Sequence, residues 1–173
     1  MAAPDAAAYN SMVVESLVNG VWYHVISQVF TFPKYIIAPE YRTGGGTLRG
    51  DLFVIRVNAD PSKNKAVFAF EGKREGTVSE FQDARTQLWG YLKDITQHGT
   101  RSYSFGIVAA GTKYAVEQNN GTNLNRRVKP IKLMIEEGLS DNPEYGIIST
   151  PGEYNKVLEI LTTVESWIDK NVF

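Results

Sequence analysis

The chain has 173 residues, 43% of them hydrophobic and 12% aromatic, and its 18 Lys and Arg nearly balance 19 Asp and Glu, for a formal net charge of −1. A chain of this length folds as one domain and buries about two-thirds of its unfolded surface without a metal or disulfide staple. Cysteine is absent, which excludes disulfides, thiol nucleophiles and thiolate metal sites, and the two histidines, His24 and His98, are too few for a multi-histidine zinc centre.

No apolar run reaches the ~18 residues of a bilayer span. Residues Met1 to Ala8 have neither the basic region nor the apolar core of an export signal. The expectation is an intracellular protein with no membrane partner. A balanced total charge does not announce a nucleic-acid partner, but the charge along one groove is what decides that.

In chain order, Tyr9 to Phe30 reads as one amphipathic helix, with Val14, Leu17, Val18, Val21, Val25 and Val29 as its apolar stripe. Pro33 ends it. Tyr35 to Ala38 is a short strand, and Thr43-Gly44-Gly45-Gly46-Thr47 a flexible connection with no Gly-Lys-Ser/Thr to make it a phosphate loop. Asp51 to Val57 and Ala66 to Glu71 are strands rich in branched and aromatic residues, joined by turn chemistry over Asn58 to Asn64 and expected to pair antiparallel.

Thr77 to Gln97 is the second helix, capped by Thr77 or Ser79, with Val78, Phe81, Leu88, Leu92 and Ile95 on its buried side. Strands follow at Tyr103 to Ala109 and Lys113 to Glu117, around a turn at Gly111. Gln118 to Asn125 reads as loop, Arg126 to Leu139 is ambiguous, and Gly146 to Ser149 is a short strand. Thr150-Pro151-Gly152-Glu153 opens a last helix that runs to about Asn171, with a capping Thr, Pro at the first helical position and Glu three residues after the Thr. This order predicts an α/β (α+β) single domain over 1–173, a central mixed sheet flanked by helices.

One group of residues points to chemistry. Asp51 opens the first strong strand, and Glu71-Gly72-Lys73 closes its partner. Side chains alternate along a strand, so Glu71 and Lys73 share a face. Two carboxylates at a sheet end suit one or two Mg²⁺ or Mn²⁺ ions. Such ions offset charge on a phosphodiester and lower the pKa of an attacking water. Lys73 would hold or help deprotonate that water, and the Gly72 carbonyl is free to approach the same metal.

This arrangement resembles the PD-(D/E)XK nuclease superfamily, whose fold is that of many restriction endonucleases. The resemblance rests on Gly50-Asp51, on Glu71-Gly72-Lys73 twenty residues later, and on the αβββαβ element order. It covers about residues 10–117 and leaves 118–173 as a C-terminal extension. Gly50 stands where the motif has proline. Gln87-Leu88-Trp89-Gly90-Tyr91 looks like the QxxxY motif of RecB-type nucleases and lambda exonuclease, with Gln87 and Tyr91 about 40° apart on one helix edge.

By this resemblance the chain is a metal-dependent nuclease acting on nucleic acid, DNA before RNA. Asp51, Glu71, Lys73, Gln87 and Tyr91 would be catalytic, and Asp51, Glu71, Gly72 and a first-helix acid, Glu15, would serve the metal. His24 lies about 180° around the helix from Glu15, so both cannot face one site; Glu40 is the reserve acid. Arg42, Arg49, Arg126, Arg127 and Lys129 are candidate phosphate contacts. The final helix either packs on the core or forms a homodimer interface. The alternative is an inactive binding module of the same fold, in which Asp51, Glu71 and Lys73 form a structural ion-pair cluster. Trp22, Trp89 and Trp167 read as packing residues, and the serines form no defensible triad.

Overall fold

A computed structural model describes residues 4–42, 48–74, 78–98, 103–120, 129–130 and 146–171. Among these are helices α1 (Ala6–Asn10), α2 (Glu15–Ser27), α3 (Val78–His98) and α4 (Pro151–Asn171). The strands are β1 (Tyr35–Pro39), β2 (Leu52–Arg56), β3 (Lys65–Lys73), β4 (Tyr103–Ala110), β5 (Lys113–Asn120), β6 (Lys129–Pro130) and β7 (Gly146–Ile147).

All strands belong to one mixed sheet in the order β1-β2-β3-β4-β5-β6, with β7 also paired to β5. β1, β2 and β3 are antiparallel neighbours. α3 then carries the chain back so that β4 runs parallel to β3, and β5 returns antiparallel from the Gly111 turn. The expected central mixed sheet flanked by helices is therefore what the chain forms.

Alternation along the strands supplies both faces of the sheet. Leu52, Val54, Phe68, Phe70, Phe105 and Ile107 point to one side, against Val18, Trp22, Val25 and Ile26 of α2 and Val157, Leu161, Val164 and Ile168 of α4. Phe53, Ile55, Ala69 and Val108 point to the other, against Phe81, Ala84, Leu88, Tyr91, Leu92 and Ile95 of α3. Each large apolar side chain buried this way is worth about 1.5–3 kcal/mol relative to exposure. The final helix thus packs on the core. The capping box at its start forms as read: the Glu153 amide donates to Thr150 Oγ1 at 3.3 Å, and the Glu153 carboxylate accepts from the Ser149 amide at 3.0 Å.

The single first helix expected over Tyr9 to Phe30 is instead two. α1 ends at Asn10, and α2 starts at Glu15 after an extended Val14. The apolar stripe holds at Val18 and Val25, which are buried, and shifts at its edge. Val14 and Leu17 remain half exposed, at 50% and 46%, and Trp22 and Ile26 take the buried places, because the sheet offers Phe70 and Tyr114 as ring partners for Trp22. Val78, assigned to the buried side of its helix, is exposed in the first turn of α3. Gln118 to Asn120, read as loop, continue β5 as ladder partners of β4. No helix among the described residues is long and apolar enough to cross a membrane.

Candidate active site

Strand pairing brings the predicted residues together. Leu52 is opposite Phe70, so the register carried one step on sets Asp51 beside Glu71. Asp51 Oδ2 accepts the Gly72 amide at 2.8 Å, which ties the entry of β2 to the last turn of the β3 ladder. Glu71 is 2% exposed and faces the α3 side. Lys73 donates to Glu71 Oε1 at 2.6 Å and lies 3.8 Å from Glu15 Oε1 of α2. The first-helix acid therefore points into the same corner. His24 stacks instead with Tyr154 of α4, with ring centroids 6.5 Å apart.

Glu71 and Glu15 flank the Lys73 ammonium, and Asp51 is close enough for its charge to act on it. Burial first, and the nearby Asp51 second, push the Glu71 carboxyl up to about 7, against the opposing pull of Lys73 and Tyr91. Burial works to lower the Lys73 pKa, but the hydrogen bond to Glu71 and the fields of Glu71, Glu15 and Asp51 outweigh it and hold the ammonium above its ordinary value. Lys73 is therefore a charged hydrogen-bond donor and not a base at neutral pH.

Among the described residues no group of three or more His, Asp or Glu side chains is clustered tightly enough to hold a metal ion by itself. The donor set present is a carboxylate pair at one sheet end. It fits Mg²⁺, which keeps several waters and takes one or two carboxylates together with substrate phosphate.

The two halves of the QxxxY pattern separate. Tyr91 is buried; its ring meets Phe53 edge-on at 5.7 Å and its hydroxyl donates to the Arg49 carbonyl at 2.9 Å. Burial, with Glu71 and Asp51 nearby, raises its pKa and keeps it a neutral donor. Gln87 is exposed one turn away. Tyr91 thus supports the floor of the site, and Gln87 is available only from solvent.

Glu40, the reserve acid, has its carboxylate paired with Arg49 and its amide bonded to the Asp51 carbonyl at 3.0 Å, so it braces Asp51 from the backbone. Arg42 and Arg49 sit opposite each other across an antiparallel bridge. Arg126 and Arg127 lie outside the described residues, and Lys129 belongs to β6, paired with Gln118.

The sequence reading missed Asn19. It is four residues after Glu15, one helical turn along the same line, and its Oδ1 is buried with no donor while lying against Gly72. The spacing was a usable signal. Also missed was Arg85 on α3, which donates through Nε to Glu117 Oε1 of β5 at 2.5 Å with both side chains buried, and lies over the Trp89 ring. Burial, opposed by Arg85, raises the Glu117 pKa. Neither a family model, nor a characterised protein, nor a solved structure matches this chain.

Proposed function

We propose that this protein is an intracellular, Mg²⁺- or Mn²⁺-dependent nuclease of the PD-(D/E)XK type that hydrolyses phosphodiester bonds, with DNA favoured over RNA. One observation carries the reading: a buried Glu71 beside Asp51 at the end of two paired strands, with Lys73 at bonding distance. Asp51 and Glu71 would hold the divalent cation. Bound there, it would supply charge stabilisation to the phosphoryl oxygens and a more acidic water.

The chain's own residues do the rest. Lys73, held as an ammonium, donates hydrogen bonds to the attacking water or a phosphate oxygen and fixes its direction. Glu15 keeps that ammonium at the mouth of the site. Asp51 is held in place through the Gly72 amide, and Tyr91 and the Arg49 carbonyl close the floor beneath Glu71.

The inactive-module reading draws on the 2.6 Å Glu71–Lys73 pair, which resembles a closed ion bridge. Glu15 and Asp51 act on the same ammonium, so ionisation of Glu71 leaves an excess of negative charge that a divalent cation would offset. The test is cleavage of single- and double-stranded DNA and of RNA with Mg²⁺, Mn²⁺ or EDTA. Wild type is expected to cut only with metal, and Asp51→Asn, Glu71→Gln and Lys73→Ala are expected to lose at least about 100-fold while staying folded. Equal activity in EDTA, or in Lys73→Ala, overturns the proposal.

A further inference from the structure

The connection from β1 to β2 carries side chains that the cleavage chemistry leaves unused. Arg42 and Arg49 form a cross-strand pair of like charges, an arrangement that repels unless an anion lies between or beside them. Arg49 is offset by Glu40, whereas Arg42 is exposed and has no ion-pair partner among the described residues.

Beside Arg42 is Tyr41, 39% exposed, whose ring lies 5.8 Å from Phe53. Phe53 in turn meets Tyr91, and the Tyr91 hydroxyl holds the Arg49 carbonyl. Gly50 makes this run of ring contacts possible, because a Cβ there would come within 2.6 Å of the Phe53 ring and 3.0 Å of the Tyr91 ring. The exposed tyrosine is thus the outer rung of an aromatic ladder whose inner rung borders Glu71.

An exposed aromatic ring resting against a second ring, next to a guanidinium with no ion pair among the described residues, is what one base and its phosphate need. Stacking accepts the π-face of any base, and the guanidinium takes the backbone. In an intact duplex that face is already covered by the neighbouring base pair. We propose that Tyr41 and Arg42 form a base-and-phosphate subsite flanking the cleavage centre, and that the substrate is a single-stranded polynucleotide or the single-stranded end of one. This rests on the nuclease reading and narrows its substrate.

The test uses the full chain with Ca²⁺ in place of Mg²⁺ to allow binding without cutting. The probes are labelled single-stranded DNA, single-stranded RNA and a blunt DNA duplex, the single strands also carrying 2-aminopurine, which loses fluorescence on stacking. Wild type is expected to bind a single strand more tightly than the duplex and to quench 2-aminopurine. Tyr41→Ala should weaken single-strand binding about 5- to 150-fold and abolish quenching, leave duplex binding unmoved, and be matched by Tyr41→Leu, which keeps an apolar contact on Phe53 and serves if the alanine variant does not fold. Tyr41→Phe should retain both signals. Arg42→Ala should lower the salt dependence of single-strand binding by about 0.7 of a log–log unit.

The stronger of the DNA and RNA arms names the natural strand. Tight duplex binding with no single-strand preference, or full quenching without the Tyr41 ring, overturns the subsite and leaves the nuclease standing if metal-dependent cleavage persists. No binding and no cleavage of any probe by wild type overturns both.

Discussion

Asn19 of α2 occupies the space where a side chain on Gly72 would be. A Cβ on Gly72 would lie 2.1 Å from Asn19 Oδ1 and 2.9 Å from the Phe70 ring. On its other side the same glycine donates its amide to Asp51. Gly72 is therefore held between a helix and the neighbouring strand, and its lack of a side chain lets α2 approach closely enough for Glu15 to reach Lys73. A glycine between the acid and the lysine is here a packing requirement, set by a residue more than fifty positions earlier.

Gly72→Ala is expected to destabilise the fold by about 1–3 kcal/mol and to reduce cleavage by displacing α2 or the Asp51 bond. Asn19→Ala removes the nearer obstacle, so the double variant should recover part of the lost stability, the Phe70 contact accounting for the rest. Urea midpoints of the four proteins in the cycle check this. Strict additivity of the two single effects would mean that Asn19 does not set the Gly72 requirement.

Much of this was legible in the chain. Strong strand composition placed β2 and β3, and two-residue alternation put Glu71 and Lys73 on one face. The helical angle between Glu15 and His24 separated the residue that reaches Lys73 from the one that stacks on Tyr154. What was not legible depended on partners distant in sequence. Nothing within α2 says whether the Val14–Leu17 or the Trp22–Ile26 stripe meets the sheet, because both are apolar and only Phe70 and Tyr114 decide. The Gln87–Tyr91 spacing likewise could not tell that the tyrosine turns inward to Arg49 while the glutamine stays in solvent.

The buried Arg85–Glu117 pair makes a separate prediction. Removing one partner leaves a desolvated charge, so Arg85→Leu and Glu117→Leu should each cost about 3–5 kcal/mol. The double leucine variant should be less damaging than either single one, because it leaves no buried charge without its partner. Denaturant unfolding of the three variants gives the coupling energy directly. A double variant as unstable as the sum of the singles would show that the pair is needed for packing and not merely for charge balance.

At the opposite end of the sheet, α4 is fastened by charge. Lys34 pairs with Glu165 and Asp169, Arg56 approaches Asp169 at 3.6 Å, and the Tyr35 hydroxyl lies 3.1 Å from Asp169 and 3.3 Å from Glu165. Tyr35→Phe keeps the ring against Phe30 and loses only the hydroxyl, so it should cost about 1–2 kcal/mol. Burial tends to raise the Asp169 pKa, but the bonds from Lys34 and Tyr35 bring it below its ordinary 3.8. Its contribution is therefore present above that value and lost as the pH falls through the lowered one. The Asp169→Asn variant should show a smaller loss of stability in acid than wild type, read from thermal melts across the acid range.

Glu71 titrates with the opposite sign, and this bears on the metal. Its folded-state pKa of about 7 exceeds its ordinary 4.5, so the stability due to its protonated form is complete below 4.5 and lost as the pH rises through about 7. The difference corresponds to on the order of 3 kcal/mol. Without metal, the melting temperature of wild type should fall across that window, and Glu71→Gln should remove the fall. A divalent cation binds the charged carboxylate in competition with the proton, so the rise in melting temperature on adding Mg²⁺ should grow as the pH passes through about 7 and be small below it. In Glu71→Gln the Mg²⁺-induced rise should be much reduced at every pH. A rise of the same size at all pH values, or one unchanged in Glu71→Gln, would remove Glu71 from the metal site; no rise at all would favour a closed ion-pair cluster of Asp51, Glu71 and Lys73.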